Sequence, residues 1–179
     1  DDDGMKTECL TPDRKPSFVF VTPSHQFPLG GTLPIQRRIQ LINFAIQTNC
    51  YIVEDDYDSE FRYTGPPISS IQGLQPDRVI YIGTFSKILS PGLRIGYLIL
   101  PEILVEKVKT LKRYIDYHSP TTEQVILARF IQEGYLEKHI TKMRKVYKNN
   151  REIFIHCLKE EFGERIKVTG FSTGLHLIA

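Results

Sequence analysis

Lys87 stands one residue after Ser86, three after Thr84 and seven before Arg94, in the stretch Gly83-Thr-Phe-Ser-Lys87-Ile-Leu-Ser-Pro-Gly92-Leu-Arg94. An amine, hydroxyls and a guanidinium set this close suit two kinds of chemistry. An amine that loses part of its hydration becomes a usable nucleophile toward an aldehyde. The hydroxyls of Thr84 and Ser86 and the fork of Arg94 are the donors that a phosphate group takes. The ordinary alternative for a lone lysine is a solvated loop position, since lysine is almost never buried.

A second stretch makes the chemical reading the stronger one. Cys50-Tyr-Ile-Val-Glu54-Asp55-Asp56-Tyr57-Asp58 is an apolar strand that ends abruptly in carboxylates and a tyrosine. Acidic groups at the carboxyl end of a parallel strand point into the crevice where α/β proteins bind ligands. Strand alternation sends Asp55 and Asp56 to opposite faces, so one of the two serves the site, and Asp55 is the choice. The lysine stretch lies between two further apolar runs, Arg78 to Ile82 and Ile95 to Leu100. Both are short, β-branched and bounded by Gly or Pro, so both read as buried strands with a loop between them.

Together these residues resemble the pyridoxal 5'-phosphate enzymes of aminotransferase fold type I. They are most similar to the aminotransferase-like domain of the MocR/GabR branch of GntR-type transcription regulators. The resemblance implies pyridoxal 5'-phosphate as cofactor, with Asp55 paired to its pyridine nitrogen, Tyr57 bonded to its phenolate and Lys87 forming the Schiff base. A carboxylate there keeps the pyridine nitrogen protonated, the condition for the cofactor to act as an electron sink. Lys87, Asp55 and Tyr57 are thus the candidate catalytic set, with Thr84, Ser86 and Arg94 as further cofactor contacts. The loop Ser24-His25-Gln26-Phe27-Pro28 is the most telling match to the regulator branch. Ordinary aminotransferases carry Asn-Pro-Thr-Gly in its place, and Leu29 departs from the threonine common to both. His25 or Gln26 is expected to touch the cofactor, against the alternative of a loop histidine bonded to backbone.

The rest of the chain positions these groups. Residues 17–22 read as a strand and 35–48 as a helix whose apolar stripe is Ile35, Ile39, Ile42 and Ile46, with Arg37 and Arg38 off it. Residues 51–55 return as a strand, which makes a right-handed βαβ unit and a parallel sheet. Tyr63 to Pro67 and Gln72 to Asp77 form a turn-rich connection with little room for a full helix. Beyond Pro101 the period becomes helical. A helix closes at Gly134, and a long charged one follows from about Leu136 to Phe162, with Ile140, Met143, Tyr147, Phe154 and Leu158 on one face. Ile166 to Thr169 and Gly174 to Ile178 then begin a new sheet, with His176 structural. The fold class is α/β: a partial large domain of fold type I with a mostly parallel sheet over residues 1–133, then a linking helix and the start of the small C-terminal domain over 134–179.

Composition narrows the remaining classes. The 179 residues carry a net charge of +2 with mixed signs, so no basic patch argues for nucleic acid by itself. Cys9, Cys50 and Cys157 are odd in number and lack ligand spacing, which speaks against a disulfide framework or a metal site and for a reducing cytoplasm. No apolar run approaches the roughly 20 residues that span a bilayer.

The resemblance covers essentially the whole chain, but the chain covers only part of the family's domain. It is expected to be an internal piece of a longer cytoplasmic protein, a homodimer, with a winged helix-turn-helix for DNA outside these residues. A small-molecule amine or amino acid is the expected effector or substrate. The alternative is a free-standing aminotransferase, because Schiff-base exchange on Lys87 serves both.

Overall fold

The computed structural model describes every residue of the chain apart from Pro67 and Phe171. Pro67, in the predicted turn-rich connection, therefore lies outside the described residues. Among the described residues four strands and six α-helices follow in the order β1 (Phe18–Val21), α1 (Ile35–Thr48), β2 (Tyr51–Asp56), α2 (Ile71–Leu74), β3 (Val79–Thr84), α3 (Phe85–Ile88), β4 (Gly96–Ile99), α4 (Glu102–Ile115), α5 (Thr121–Gln132) and α6 (Tyr135–Phe162), all but the single-turn α2 and α3 anticipated by the hydrophobic periods. The strands form one sheet in the order β1-β2-β3-β4. β1, β2 and β3 run parallel, with Val21 beside Glu54 and Asp55 beside Ile82. β4 runs antiparallel to β3 and pairs Tyr97 with Gly83. The parallel strands bring the ends of β1, β2 and β3, and thus Thr22, Asp55 and Thr84, to one edge of the sheet.

One sheet face is covered and the other is open. Val19, Val21, Ile52 and Val79 pack against Leu41, Phe44 and Ala45 of α1 to make the core. The predicted isoleucine stripe of α1 is not its buried face: Ile35, Ile39 and Ile46 are 38%, 48% and 50% exposed, while Arg38, Leu41 and Ala45 are fully buried. Arg38 takes an inward position because backbone carbonyls satisfy its whole guanidinium. Its Nε donates to Leu33 O at 2.9 Å, Nη1 to Ser69 O at 3.0 Å and Nη2 to Pro23 O at 2.8 Å. On the open face Phe18, Phe20 and Leu98 lie exposed.

β4 was expected to be buried, and it is exposed along its whole length. It is an edge strand with β3 on one side only and nothing described packed against its outer face. Its Tyr97 nevertheless lies across the β3 backbone: a Cβ at Gly83 would fall within the Tyr97 ring, so the close approach requires glycine there.

The connection between β3 and β4 is also more ordered than a loop. Thr84 accepts a hydrogen bond from Ser86 N at 3.1 Å and caps the single turn of α3, and Lys87 lies in that turn. α5 and α6 pack on each other, and Gly134 between them takes a left-handed φ of 73°. The predicted face of α6 is half-buried at Ile140, Met143, Tyr147 and Leu158 but exposed at Phe154. The predicted second sheet is reduced to one antiparallel bridge, Thr169 to Ile178, with Thr173 bridged instead to Arg62. No helix among the described residues is long and apolar enough to cross a membrane.

Candidate functional site

A cleft of about 560 Å³ opens at the carboxyl edge of the sheet, lined by Asp55, Tyr57 and Lys87 together with Phe20, Gln26 and Phe27. Three separate elements meet there. β2 delivers Asp55 at its end and Tyr57 just beyond it, α3 delivers Lys87, and the long loop after β1 supplies the opposite wall. Arg38 fastens both ends of that loop through Pro23 and Leu33, which also pair directly, Leu33 N donating to Pro23 O at 2.9 Å.

Asp55 is half-buried, and no hydrogen-bond donor among the described residues reaches its carboxylate. Desolvation, reinforced by the charges of Asp56 and Asp58, raises its pKa above the ordinary carboxylate range. A carboxylate so placed is short of a cation. A protonated ring nitrogen beside it would supply one and favour the charged form. The aromatic and apolar lining from Phe20, Val21, Pro23 and Phe27 suits the faces of a planar ring, and Lys87 brings an amine to the same cleft. The residues present therefore fit a pyridinium aldehyde such as pyridoxal phosphate.

Tyr57 donates its hydroxyl to the backbone oxygen of His25 at 2.8 Å. Desolvation first, then the charges of Asp58 and Asp55, hold the phenol protonated far above the physiological range. It is thus a permanent donor. The desolvation expected of Lys87 is not supplied by these residues, since the side chain is exposed beside the open sheet face.

The remaining predicted contacts fall outside the cleft lining. Thr84 is engaged as the cap of α3, and Ser86 is half-buried within that turn. Arg94 is exposed in a left-handed conformation at φ 50°. His25 is 1% exposed and its ring does not line the cleft, whereas its neighbour Gln26 does. The His25 Nδ1 lies 2.9 Å from Asp58 Oδ2, and the ring stacks on His176 at 4.0 Å between centroids. So the histidine partner is a carboxylate and a second imidazole, not loop backbone.

Asp56 faces the other side of the sheet, as alternation requires, and accepts the Tyr81 hydroxyl at 2.8 Å. Glu54, buried deeper on that face, accepts from the amides of Ile71 and Gln72 at 3.0 and 2.8 Å and lies 3.9 Å from Arg38. Sequence reasoning gave no role to Arg38, Glu54 or Asp58, of which Glu54 and Asp58 carried a signal as the first and last carboxylates of the acidic strand end. His176 is structural, as expected, stacked on His25.

Comparison with known proteins places these features in a family. Residues 6–178 match the family model of aminotransferase class I and II. The chain is 45% identical to the HTH-type transcriptional regulator YdeL of Bacillus subtilis, over 99% of this chain and 38% of that protein. It is 36% identical to the HTH-type pyridoxine biosynthesis transcriptional regulator PdxR of Corynebacterium glutamicum, over 86% of this chain and 33% of that one. Among solved structures it superposes on the kynurenine aminotransferase of Pyrococcus horikoshii with a TM-score of 0.89 at 38% identity, covering 97% of this chain and 45% of that one. That aminotransferase was crystallised with PMP. The chain spans well under half the length of each of these relatives.

Proposed function

The chain belongs to the aminotransferase class I and II family, and from that premise we propose that it is the pyridoxal 5'-phosphate-binding, effector-sensing part of a GntR/MocR-type transcription regulator. The observation that carries this reading is the convergence of Asp55, Tyr57 and Lys87 on one cleft from β2 and α3. Asp55 would hold the protonated ring nitrogen, because its carboxylate has no other donor and its charged form gains most from a cation. Tyr57 would donate to the ring oxygen, its phenol being kept protonated by desolvation and by Asp58 and Asp55. Lys87 is the amine that would hold the cofactor covalently. Thr84, Ser86 and Arg94, carried on the same β3–α3–β4 stretch as Lys87, would serve the phosphate. The cofactor, when bound, supplies an electron sink for amine chemistry.

In this reading residues 1–133 are part of the large domain and 134–179 lead into the small one. The whole protein would be a cytoplasmic homodimer that senses a small amine or amino acid and contacts DNA through a winged helix-turn-helix outside these residues. The 45% identity to a transcriptional regulator supports the regulator, as does the loop Ser24 to Pro28, which presents Phe27 to the cleft.

A free-standing aminotransferase is the second reading, favoured by the TM-score of 0.89 to the archaeal enzyme. The deciding experiment is to express the full-length protein, add pyridoxal phosphate, reduce with borohydride and map the modified peptide. The reading expects a pyridoxyl group on Lys87 and operator binding that changes with the cofactor. Turnover of an amino acid without any DNA binding would favour the enzyme.

A further inference from the structure

Asp58 is sealed from solvent, 1% exposed, yet one of its oxygens does two jobs. Asp58 Oδ2 accepts from His25 Nδ1 at 2.9 Å and from the backbone amide of Leu175 at 2.8 Å. The first bond reaches the loop that walls the cleft; the second reaches the segment that follows α6, far along the chain. His25 in turn receives the Tyr57 hydroxyl on its backbone oxygen at 2.8 Å. A path of three hydrogen bonds, joined across His25 by its own covalent frame, therefore runs from the Leu175 amide through Asp58 to the side chain that faces the cleft.

The C-terminal segment is built to sit against that path. Gly174 has a φ of 76°, and a Cβ there would fall on the His25 imidazole and crowd the Asp58 carboxylate, so only glycine brings the backbone this close. Gly30 and Gly170 meet backbone to backbone in the same way. His176 stacks on the His25 ring and lies 3.1 Å, through Nε2, from Pro28 O. Arg151 of α6 holds the segment from behind, donating to the backbone oxygens of Gly174 and Gly170.

A metal is the other occupant that His25, Asp58 and His176 bring to mind, since their ligand atoms lie within 4.8 Å of one another. The geometry speaks against it. The two imidazole planes are only 26° apart and stacked, so in-plane lone pairs do not converge on one ion. Asp58 Oδ2, the oxygen beside the His25 ring, is already taken by two donors.

We propose that Asp58 and His25 form a latch that couples seating of the Ser172–His176 segment to the position of the Tyr57 hydroxyl. Both are positioning residues rather than catalytic ones. The proposal rests on the reading that Tyr57 serves a cofactor in the cleft. With the segment seated, Asp58 fixes the His25 ring, the ring fixes its own backbone oxygen, and that oxygen fixes Tyr57. A group in the cleft that takes over the Tyr57 proton competes with the His25 oxygen and so acts on the latch from the other end. By linkage, filling the cleft and seating the segment oppose one another to the same extent.

The test uses full-length protein carrying Tyr57→Phe, Asp58→Ala and both together. Affinity for added pyridoxal phosphate and hydrogen exchange at Leu175 are the two readouts. Asp58→Ala is expected to strengthen cofactor affinity about tenfold, the worth of one hydrogen bond no longer competing for the Tyr57 proton, with the double variant no tighter than Tyr57→Phe alone. Cofactor should change exchange across 172–176 in the parent protein and leave it unchanged in Tyr57→Phe. Additive effects of the two substitutions, or exchange that ignores the cofactor in the parent protein, would overturn the latch. Gly174→Ala unseats the segment with Asp58 intact and must reproduce the affinity gain; normal affinity in that variant also overturns it. Should the parent protein bind no cofactor and leave no borohydride-fixed group on Lys87, the cofactor reading fails instead. The latch then stands only if Asp58→Ala speeds exchange in residues 23–31 and 172–176 together, and falls if it affects one of them alone.

Discussion

Asp55 and Asp56 are neighbours in β2 and serve opposite sides of the sheet. Asp55 opens into the cleft with Lys87, whereas Asp56 accepts the Tyr81 hydroxyl at 2.8 Å on the far face. The period of a strand thus separates two chemically identical groups by what surrounds them. Asp55→Asn is expected to weaken pyridoxal phosphate binding about tenfold or more, because a neutral amide gains nothing from a protonated ring nitrogen. Asp56→Asn should leave affinity within about twofold, a distant and indirect effect. Absorbance titration of the two variants decides it; a larger loss from Asp56→Asn would move the ring-nitrogen role to the other face.

Lys87 is the second test of the cleft. Borohydride reduction after addition of the cofactor should fix a pyridoxyl group in the parent protein and none in Lys87→Ala. Peptide mapping reads the result directly. An equal yield from the alanine variant would assign the adduct to another amine.

The raised pKa of Asp55 has a consequence for the cofactor-free protein. Desolvation makes the folded state hold this proton more tightly than the unfolded chain, whose aspartates titrate near 4. Stability then falls as pH rises from the unfolded value through the raised folded one, and the cost stays in full above it. Asp55→Asn removes that cost. The cofactor-free variant should melt about 2 °C above the parent protein at neutral pH, a gap that closes below about pH 4. Saturating cofactor should reverse the order, since it stabilises only the form that binds it. Thermal melts across pH, with and without cofactor, read both signs.

Arg38 and Glu54 are both fully buried and 3.9 Å apart. Burial pushes the arginine pKa down and the glutamate pKa up, with each charge opposing the shift of the other. Arg38→Met would strand Glu54 and release the carbonyls of Pro23, Leu33 and Ser69. Denaturant unfolding is expected to register a loss of about 3–5 kcal/mol. Cofactor affinity should fall as well, because the released loop is the cleft wall. A stability change within about 0.5 kcal/mol, the size of an ordinary surface substitution, would contradict the role assigned to this pair.

The open face of the sheet predicts the behaviour of these 179 residues on their own. Phe18 and Phe20 are 59% and 49% exposed and adjoin a β1 edge that no described strand covers. The isoleucines of α1 add a second uncovered strip. Apolar patches and free strand edges of this kind pair with other chains. The 179-residue chain should therefore self-associate, with weak cofactor binding. Sedimentation velocity with a cofactor titration measures both; a stable monomer binding one micromolar-tight equivalent would refute it.

Much of the architecture was readable from residue pattern alone. Short apolar runs marked all four strands, two of them β-branched between Gly and Pro and one ending in carboxylates, and period-3.6 stretches marked α1 and α4 to α6, because these signals are local to the backbone. The nearness of Asp55, Tyr57 and Lys87 followed as well: parallel strands put their carboxyl ends on one edge, and two of those ends carried the chemistry.

What the pattern could not supply was which groups would be buried, and against what. The isoleucine stripe of α1 matched a core face better than Arg38 did, yet Arg38 went inside because three carbonyls from a distant loop satisfy it. A continuous apolar run marked β4 as a buried strand, yet it is exposed, because burial depends on whether another layer lies over it. His25 looked like a cofactor contact and became a buried partner of Asp58 and His176, joined by a chain reversal that no local signal encodes. Secondary structure follows from neighbours in sequence, whereas burial, pairing and pKa follow from neighbours in space, and these only the tertiary structure decides.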